Sequence, residues 1–162
     1  MSLQPRLIPS LLINGRKLIK TIRFKSPIYI GDPINTVRIF NELEVDELCF
    51  LDIRATIEER EPNYRILSEI ADECFMPLTY GGGIKSVETV KKILSIGFEK
   101  VIVNSGAFLN DDLVKEISDY SGSQSLVVSI DVKKSFFGQY SVYIRDGTEK
   151  LKINPVDFFN ET

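Results

Sequence analysis

The chain contains no histidine. For these 162 residues that excludes imidazole acid–base chemistry, histidine-based triads and zinc sites built on histidine. Any proton transfer must rest on Asp, Glu, Lys, Tyr or Cys. Cysteine is scarce too: there are only two, Cys49 in an apolar run and Cys74 at the end of a helical pattern. Neither their number nor their spacing makes a metal site or a disulfide framework, so both read as small buried hydrophobes. No apolar run approaches the length of a membrane span, and the first residues lack the layout of a signal peptide. No membrane association is expected, and the expected location is cytoplasmic. Charge of one sign is not concentrated either. Lys and Arg number 20 against 23 Asp and Glu, a net charge of −3, and the basic residues are scattered, which argues against a nucleic-acid partner. A small anionic substrate stays open, because local charge at a site outweighs the total.

What the chain does have is a recurring pattern. Four short apolar runs end in small or acidic polar residues: Glu47–Asp52, Pro77–Gly83, Val101–Ser105 and Leu126–Asp131. A helical pattern lies between each pair. Continuous apolar runs suit buried parallel strands, and their alternation with helices implies βαβ units. Polar residues always at the C-terminal end of a strand place every reactive group on one face of one sheet, where α/β barrels and doubly wound folds keep their sites.

Along the chain, a first strand is expected at Arg6–Ile13, then an Asn14-Gly15 turn and a second apolar piece, Lys17–Ile22. Residues 23–31 read as a loop. Asp32-Pro33 starts a helix, with Ile34, Val37, Phe40 and Leu43 at helical spacing. Helix two is expected from about Pro62 to Glu73, with Ile66, Leu67 and Ile70 buried. Ser86 caps a third helix, and Asn110-Asp111-Asp112 a fourth. Beyond Asp131 the pattern changes: Tyr140–Ile144 alternates, Asp146-Gly147 signals a turn and Leu151–Ile153 returns, giving a β-hairpin insertion at about 139–153. Asn154-Pro155 then begins another helix. Five parallel strands and four full helices suit an open doubly wound sheet, or the first five βα units of a (β/α)₈ barrel of the TIM type. The unfinished helix favours the second: residues 1–162 as the N-terminal part of one barrel domain.

Gly81-Gly82-Gly83, between a strand and a helix, is the best local signal for chemistry. Its glycines let backbone approach a ligand and adopt positive φ, and the next helix offers free N–H groups to a phosphate. A tight strand-to-helix turn would explain it equally well. Asn104-Ser105-Gly106, ending the adjacent strand, strengthens the phosphate reading. Asp52 and Asp131 end two strands and are candidates for general acid or base; each could instead cap a helix or pair with a cation. Lys20 and Lys100 are further candidates, although a lone lysine is usually a solvated surface group. Asp46-Glu47 reads as a charge pair where a strand begins, on the opposite, stability-bearing face.

These segments, with Arg6–Leu12 and Gly31-Asp32-Pro33, resemble the cyclase subunit of the imidazole glycerol phosphate synthase family along essentially the whole chain, in order and in spacing. The resemblance implies a (β/α)₈ barrel that takes ammonia from a glutaminase partner and delivers it to a phosphorylated substrate, with no metal or other cofactor. It makes Asp131 the catalytic aspartate of the fifth strand and Asp52 an aspartate near the substrate. Gly82, Gly83, Asn104 and Ser105 become one phosphate-binding half, Lys20 a lysine at the mouth, and Lys100 the lysine at the ammonia entrance.

Two departures stand out. The family's first-strand catalytic aspartate aligns with Leu12, which transfers no proton, and strands six to eight, with a second phosphate site, are absent. The first departure resembles a side branch: cyclase-like proteins associated with sugar amidation in surface polysaccharide biosynthesis. The expected function is therefore a cyclase-like subunit of a glutamine-dependent amidotransferase acting on a phosphorylated or nucleotide-linked sugar. The alternatives are the histidine-pathway cyclase itself, or a non-catalytic scaffold that docks a glutaminase. Exposed barrel edges imply either self-association or that these residues are part of a longer protein.

Overall fold

A computed structural model describes residues 5–22, 25–110, 112–145 and 147–156. β1 (Ser10–Asn14) and β2 (Lys17–Ile22) pair as a hairpin in the register Leu12–Ile19, about a turn in which Gly15 has φ of +60°. β3 (Lys25–Gly31) then pairs antiparallel with β2. The expected loop at 23–31 is thus a strand over its described part. Pro27 disguised it: proline is tolerated at a sheet edge, where one side needs no hydrogen-bond partners. Ile28, Tyr29 and Ile30 on this edge are each more than half exposed.

Strand–helix units follow: α1 (Pro33–Glu42), β4 (Leu48–Asp52), α2 (Tyr64–Glu73), β5 (Leu78–Gly81), α3 (Val87–Ile96), β6 (Lys100–Val103), a short α4 (Ser105–Leu109), α5 (Leu113–Ser121) and β7 (Leu126–Val128). The seven-stranded sheet has the order β3-β2-β1-β4-β5-β6-β7, and β1, β4, β5, β6 and β7 are parallel. Those are the five parallel strands expected. Among the described residues the sheet is open, with β3 and β7 at its edges, so the fold is α/β with a mostly parallel sheet and not a closed barrel.

The expected caps form where a side-chain oxygen can meet a free N–H. Asp32 accepts from Asn35 N at 3.1 Å, ahead of Pro33 in the first turn, and Ser86 accepts from Thr89 N at 3.3 Å. Asn63 accepts from Ile66 N, so α2 starts at Tyr64, just after Pro62. Asp112 precedes α5 without a side-chain cap, and Asp111 lies outside the described residues.

Alternation along the strands gives the sheet two faces. Leu48 and Phe50 of β4, Tyr80 of β5, and Val101 and Val103 of β6 are buried under the helices, against Val37, Ile66, Leu67, Ile70, Val90, Ile93, Leu113 and Ile117. Each such side chain contributes about 1.5–3 kcal/mol. The other face carries Leu12, Leu51 and Ile102, which are only half-buried.

After β7 the chain forms a second, three-stranded antiparallel sheet of β8 (Asp131–Lys134), β9 (Tyr140–Ile144) and β10 (Glu149–Lys150). The expected insertion at 139–153 is therefore two strands of a larger unit that already begins at Asp131. Of its expected turn, Asp146 lies outside the described residues. Pro155 and Val156 are helical, and the rest of that expected helix also lies outside them.

Candidate functional site

The C-terminal ends of the parallel strands surround a cavity of about 170 Å³. Leu12, Thr21, Leu51, Asp52, Ile53, Thr56, Gly81, Gly82, Ile102, Asn104, Ser105, Ser129 and Asp131 line it. Asp52, Gly82, Asn104, Ser105 and Asp131, expected separately, are thereby brought together. Gly83, Lys20 and Lys100 do not line the cavity. Lys20 is exposed on β2, next to Thr21, and Lys100 begins β6 at the opposite end of the sheet.

Asp52 is buried and fully engaged. Arg60 donates from Nη1 to Oδ2 at 2.9 Å and from Nη2 to Oδ1 at 2.8 Å, while the backbone N–H groups of Arg54 and Ala55 donate to Oδ1 at 3.2 Å. Glu58 receives Arg60 Nε at 2.9 Å and Arg54 Nε at 3.0 Å, closing the network. This arrangement anchors the turn from Asp52 to Arg60. Strand alternation agrees, since Asp52 follows Leu48 and Phe50 on the helix-facing side.

The glycine triplet packs against that turn. A Cβ on Gly82, at φ +121°, would lie 2.4 Å from Asp52 O; one on Gly83, at φ +67°, would lie 2.9 Å from both Ala55 Cβ and Arg60 O. Gly83 N donates to Thr56 Oγ1 at 3.3 Å. The close approach that the glycines permit is thus, first, between two loops of the protein itself.

Asp131 is the freer carboxylate. It is half-buried, and burial pushes its carboxyl above the ordinary range, against an opposing hydrogen bond from Asn104 and the charge of Lys133. Asn104 Nδ2 donates to Ser129 O at 3.0 Å and to Asp131 Oδ2 at 3.4 Å, and Ser105 Oγ donates to Asn104 Oδ1 at 3.1 Å. An aspartate whose carboxyl burial raises above the ordinary range, and which accepts from the amide of Asn104, can serve as general acid and then as base. Cys49 and Tyr80 are weaker candidates: burial pushes both upward, and the buried Tyr80 hydroxyl has no hydrogen-bond partner among the described residues.

At the N-terminal ends of the strands lies a second polar cluster. Glu47, immediately before β4, is buried, and its Oε2 receives Lys100 Nζ at 2.5 Å and Arg6 Nη2 at 3.0 Å. Thr79 Oγ1 donates to Oε1. Burial pushes the Glu47 carboxyl up, but Lys100, Thr79 and Arg6 together outweigh it and hold the carboxyl below its usual range. Asp46-Glu47 stands, as expected, where a strand begins and at the end of the sheet opposite the cavity, and Glu47 is the hub of a buried cluster there that also holds Lys100. From sequence, Glu47 had no partner beyond Asp46, and neither Thr79 nor Arg6 was singled out. Their partners lie 32 to 53 positions away, and no local pattern signals such a meeting.

An α/β chain with a mostly parallel sheet, a polar cavity at the strand C-termini and a buried ion cluster at the opposite end is a class shared by many enzymes. The sequence narrows it: the profile of the histidine biosynthesis protein family matches residues 6–162, and the chain belongs to that family. It is 52% identical over 153 residues to a Pseudomonas aeruginosa protein provisionally named imidazole glycerol phosphate synthase subunit hisF2, covering 94% of this chain and 61% of that one. A Leptospira interrogans protein with the corresponding provisional HisF name is 51% identical over 156 residues, covering 96% and 61%. One from Vibrio vulnificus, provisionally hisF3, is 44% identical over 160 residues, covering 98% and 62%. The chain thus spans about three-fifths of the length of these relatives. Among the described residues, no helix is long and apolar enough to cross a membrane.

Proposed function

We propose that the protein is a cyclase-type subunit of the imidazole glycerol phosphate synthase kind, working in the cytoplasm. In this reading a glutaminase partner supplies ammonia at the end of the sheet that holds Lys100, Glu47 and Arg6. The ammonia reacts with a phosphorylated small molecule bound at the opposite end, by Gly82, Gly83, Asn104 and Ser105, with Lys20 at the mouth. Asp131 transfers the proton. Asp52 acts indirectly, by fixing the turn against which the glycines pack. The observation that carries the reading is the layout of β6: Lys100, Ile102 and Asn104 alternate onto one face of one strand, the cation at its start and the amide of the proposed phosphate seat just past its end. The provisional names of the relatives favour this histidine-pathway reading.

The test is turnover of the histidine-pathway substrate by the full-length protein with an ammonium salt, followed by mass spectrometry of the products. Formation of the cyclised product supports the reading, and a folded protein that forms none overturns it. One observation favours a second reading, the amidation of a sugar: Leu12 lines the cavity at the position where a proton-transferring carboxylate is expected. The open edges at β3 and β7 also support self-association of the 162-residue chain, to be read by sedimentation velocity.

A further inference from the structure

Among the described residues the cavity has no cation in its lining. It carries two carboxylates, of which Asp52 is neutralised by Arg60 and Asp131 is not paired with a cation at contact distance. A phosphate arriving beside Asn104 and Ser105 would therefore meet an amide, a hydroxyl and an aspartate, an unfavourable balance for a dianion.

One cation is brought to this seat from the second sheet. The backbone N–H of Arg145, just beyond β9, donates to Ser105 Oγ at 3.0 Å, across 40 positions of sequence. With an N–Cα bond of about 1.46 Å, the Arg145 Cα lies within about 4.5 Å of that oxygen. An arginine side chain is longer than this, so an anion at Ser105 lies within the span of the guanidinium. Arg145 also has φ of +51°, a left-handed conformation that suits glycine and disfavours any residue with a side chain. That an arginine is held there points to a use for the side chain. Its present partner is weak: Nε lies 3.4 Å from Glu149 Oε2, and both side chains are about half exposed (48% and 52%). The competing cation nearby is already tied, because Lys133 Nζ donates to Gly147 O and lies over the Tyr143 ring, 4.2 Å from its centre.

We propose that Arg145 is the phosphate-binding cation of this cavity, leaving Glu149 to grip an anion seated at Ser105 and Asn104 in the bidentate manner that guanidinium favours. The proposal rests on the reading that the substrate is phosphorylated.

Titration of the full-length protein with inorganic phosphate, followed by ³¹P line broadening, tests it without reference to any reaction. Arg145→Ala is expected to weaken binding by about ten- to a hundredfold. Arg145→Lys should recover only part of the loss, because an ammonium cannot grip two oxygens in a plane. Glu149→Gln should tighten binding about two- to fivefold by releasing the guanidinium. Arg145→Gly separates binding from folding: it eases the left-handed backbone, so its melting temperature should rise while phosphate affinity falls. Wild-type affinity retained in both the alanine and glycine variants overturns the role of Arg145 and leaves the phosphorylated-substrate reading standing. Absence of saturable phosphate binding in the wild type overturns both.

Discussion

Arg60 holds both oxygens of Asp52, with Nη2–Oδ1 at 2.8 Å and Nη1–Oδ2 at 2.9 Å, although the two residues are only eight positions apart. The carboxylate is almost wholly buried and the guanidinium partly solvated, at 1% and 29% side-chain exposure. Removing the cation therefore strands a buried charge. Arg60→Met is expected to destabilise the protein by about 2–3 kcal/mol, less than for a fully buried pair because water reaches Arg60. The melting temperature should fall by about 5–10 °C. An unchanged melting temperature would show that the pair is incidental to the turn.

The same turn sets the cost of a methyl group on the glycines. Gly82→Ala combines a left-handed backbone with a Cβ placed 2.4 Å from Asp52 O, and backbone cannot yield as a flexible side chain can. A loss of about 2–5 kcal/mol is expected from strain and overpacking together. Gly15 at φ +60° has nothing within 4 Å of its would-be Cβ, so Gly15→Ala should cost only the backbone part, about 1–2 kcal/mol. Urea midpoints of the two variants measure the difference, and equal losses would contradict the close packing of Gly82 on Asp52.

Asp131 carries a prediction whose sign follows from its environment. Burial raises its carboxyl above the ordinary range, so the folded state is penalised once that group ionises. The penalty is present above the folded-state value and vanishes below the unfolded value of about 3.9. Asp131→Asn should therefore be more stable than wild type at neutral pH, with the gain disappearing as the pH falls toward 4. Turnover should drop by about 10²- to 10⁴-fold, as for loss of a general acid or base. Thermal melts across pH 4–8 test the stability arm, and a variant less stable than wild type at pH 7 refutes it.

Glu47 behaves in the opposite sense. Lys100, Thr79 and Arg6 outweigh burial and hold its carboxyl low, so its contribution to stability is present above the unfolded value of about 4.3 and is lost as the pH falls through the folded one. Glu47→Gln should be less stable at neutral pH and should flatten the acid limb of the stability profile. Lys100→Met should destabilise the protein as well. In the proposed function it should also reduce glutamine-driven turnover more than turnover driven by ammonium salt. Equal reduction of the two would separate Lys100 from ammonia entry.

How far the chain could be read in advance depended on whether a partner was near in sequence. The helices at Pro33 and Val87 were legible because cap and apolar stripe lie within a few residues of each other. The five parallel strands were legible because strands covered by helices read as unbroken apolar runs. β3 was missed because Pro27 reads as a loop signal although an edge strand tolerates it, and because Ile28, Tyr29 and Ile30 stand together in water without the alternation of a half-buried strand. At the site, Asp52, Asn104, Ser105 and Asp131 announced themselves as polar strand ends. The grip of Arg60 on Asp52 was hidden in the run Glu58-Glu59-Arg60-Glu61, where nothing distinguishes one charge from the next. Glu47 and Arg145 act through residues dozens of positions away, and only folding reveals them.

Leu12 offers the sharpest separation of the two functional readings. It lines the cavity, pairs in register with Leu51, and stands on the strand next to the one that ends in Asp52. If the missing carboxylate is all that keeps the full-length protein from efficient imidazole cyclisation, Leu12→Asp should raise ammonium-driven turnover of the histidine-pathway substrate by about 10²-fold or more. The new carboxylate would share the cavity with Asp131, and like charges disfavour joint ionisation, so the rate should peak at a pH where one of the two still holds its proton. Exchanging a half-buried leucine for a carboxylate should cost about 1–3 kcal/mol of stability. A folded Leu12→Asp variant that binds phosphate as tightly as wild type, yet turns over no faster, would show that the cavity is shaped for a different acceptor, and the amidation of a sugar would then be the better account of its chemistry.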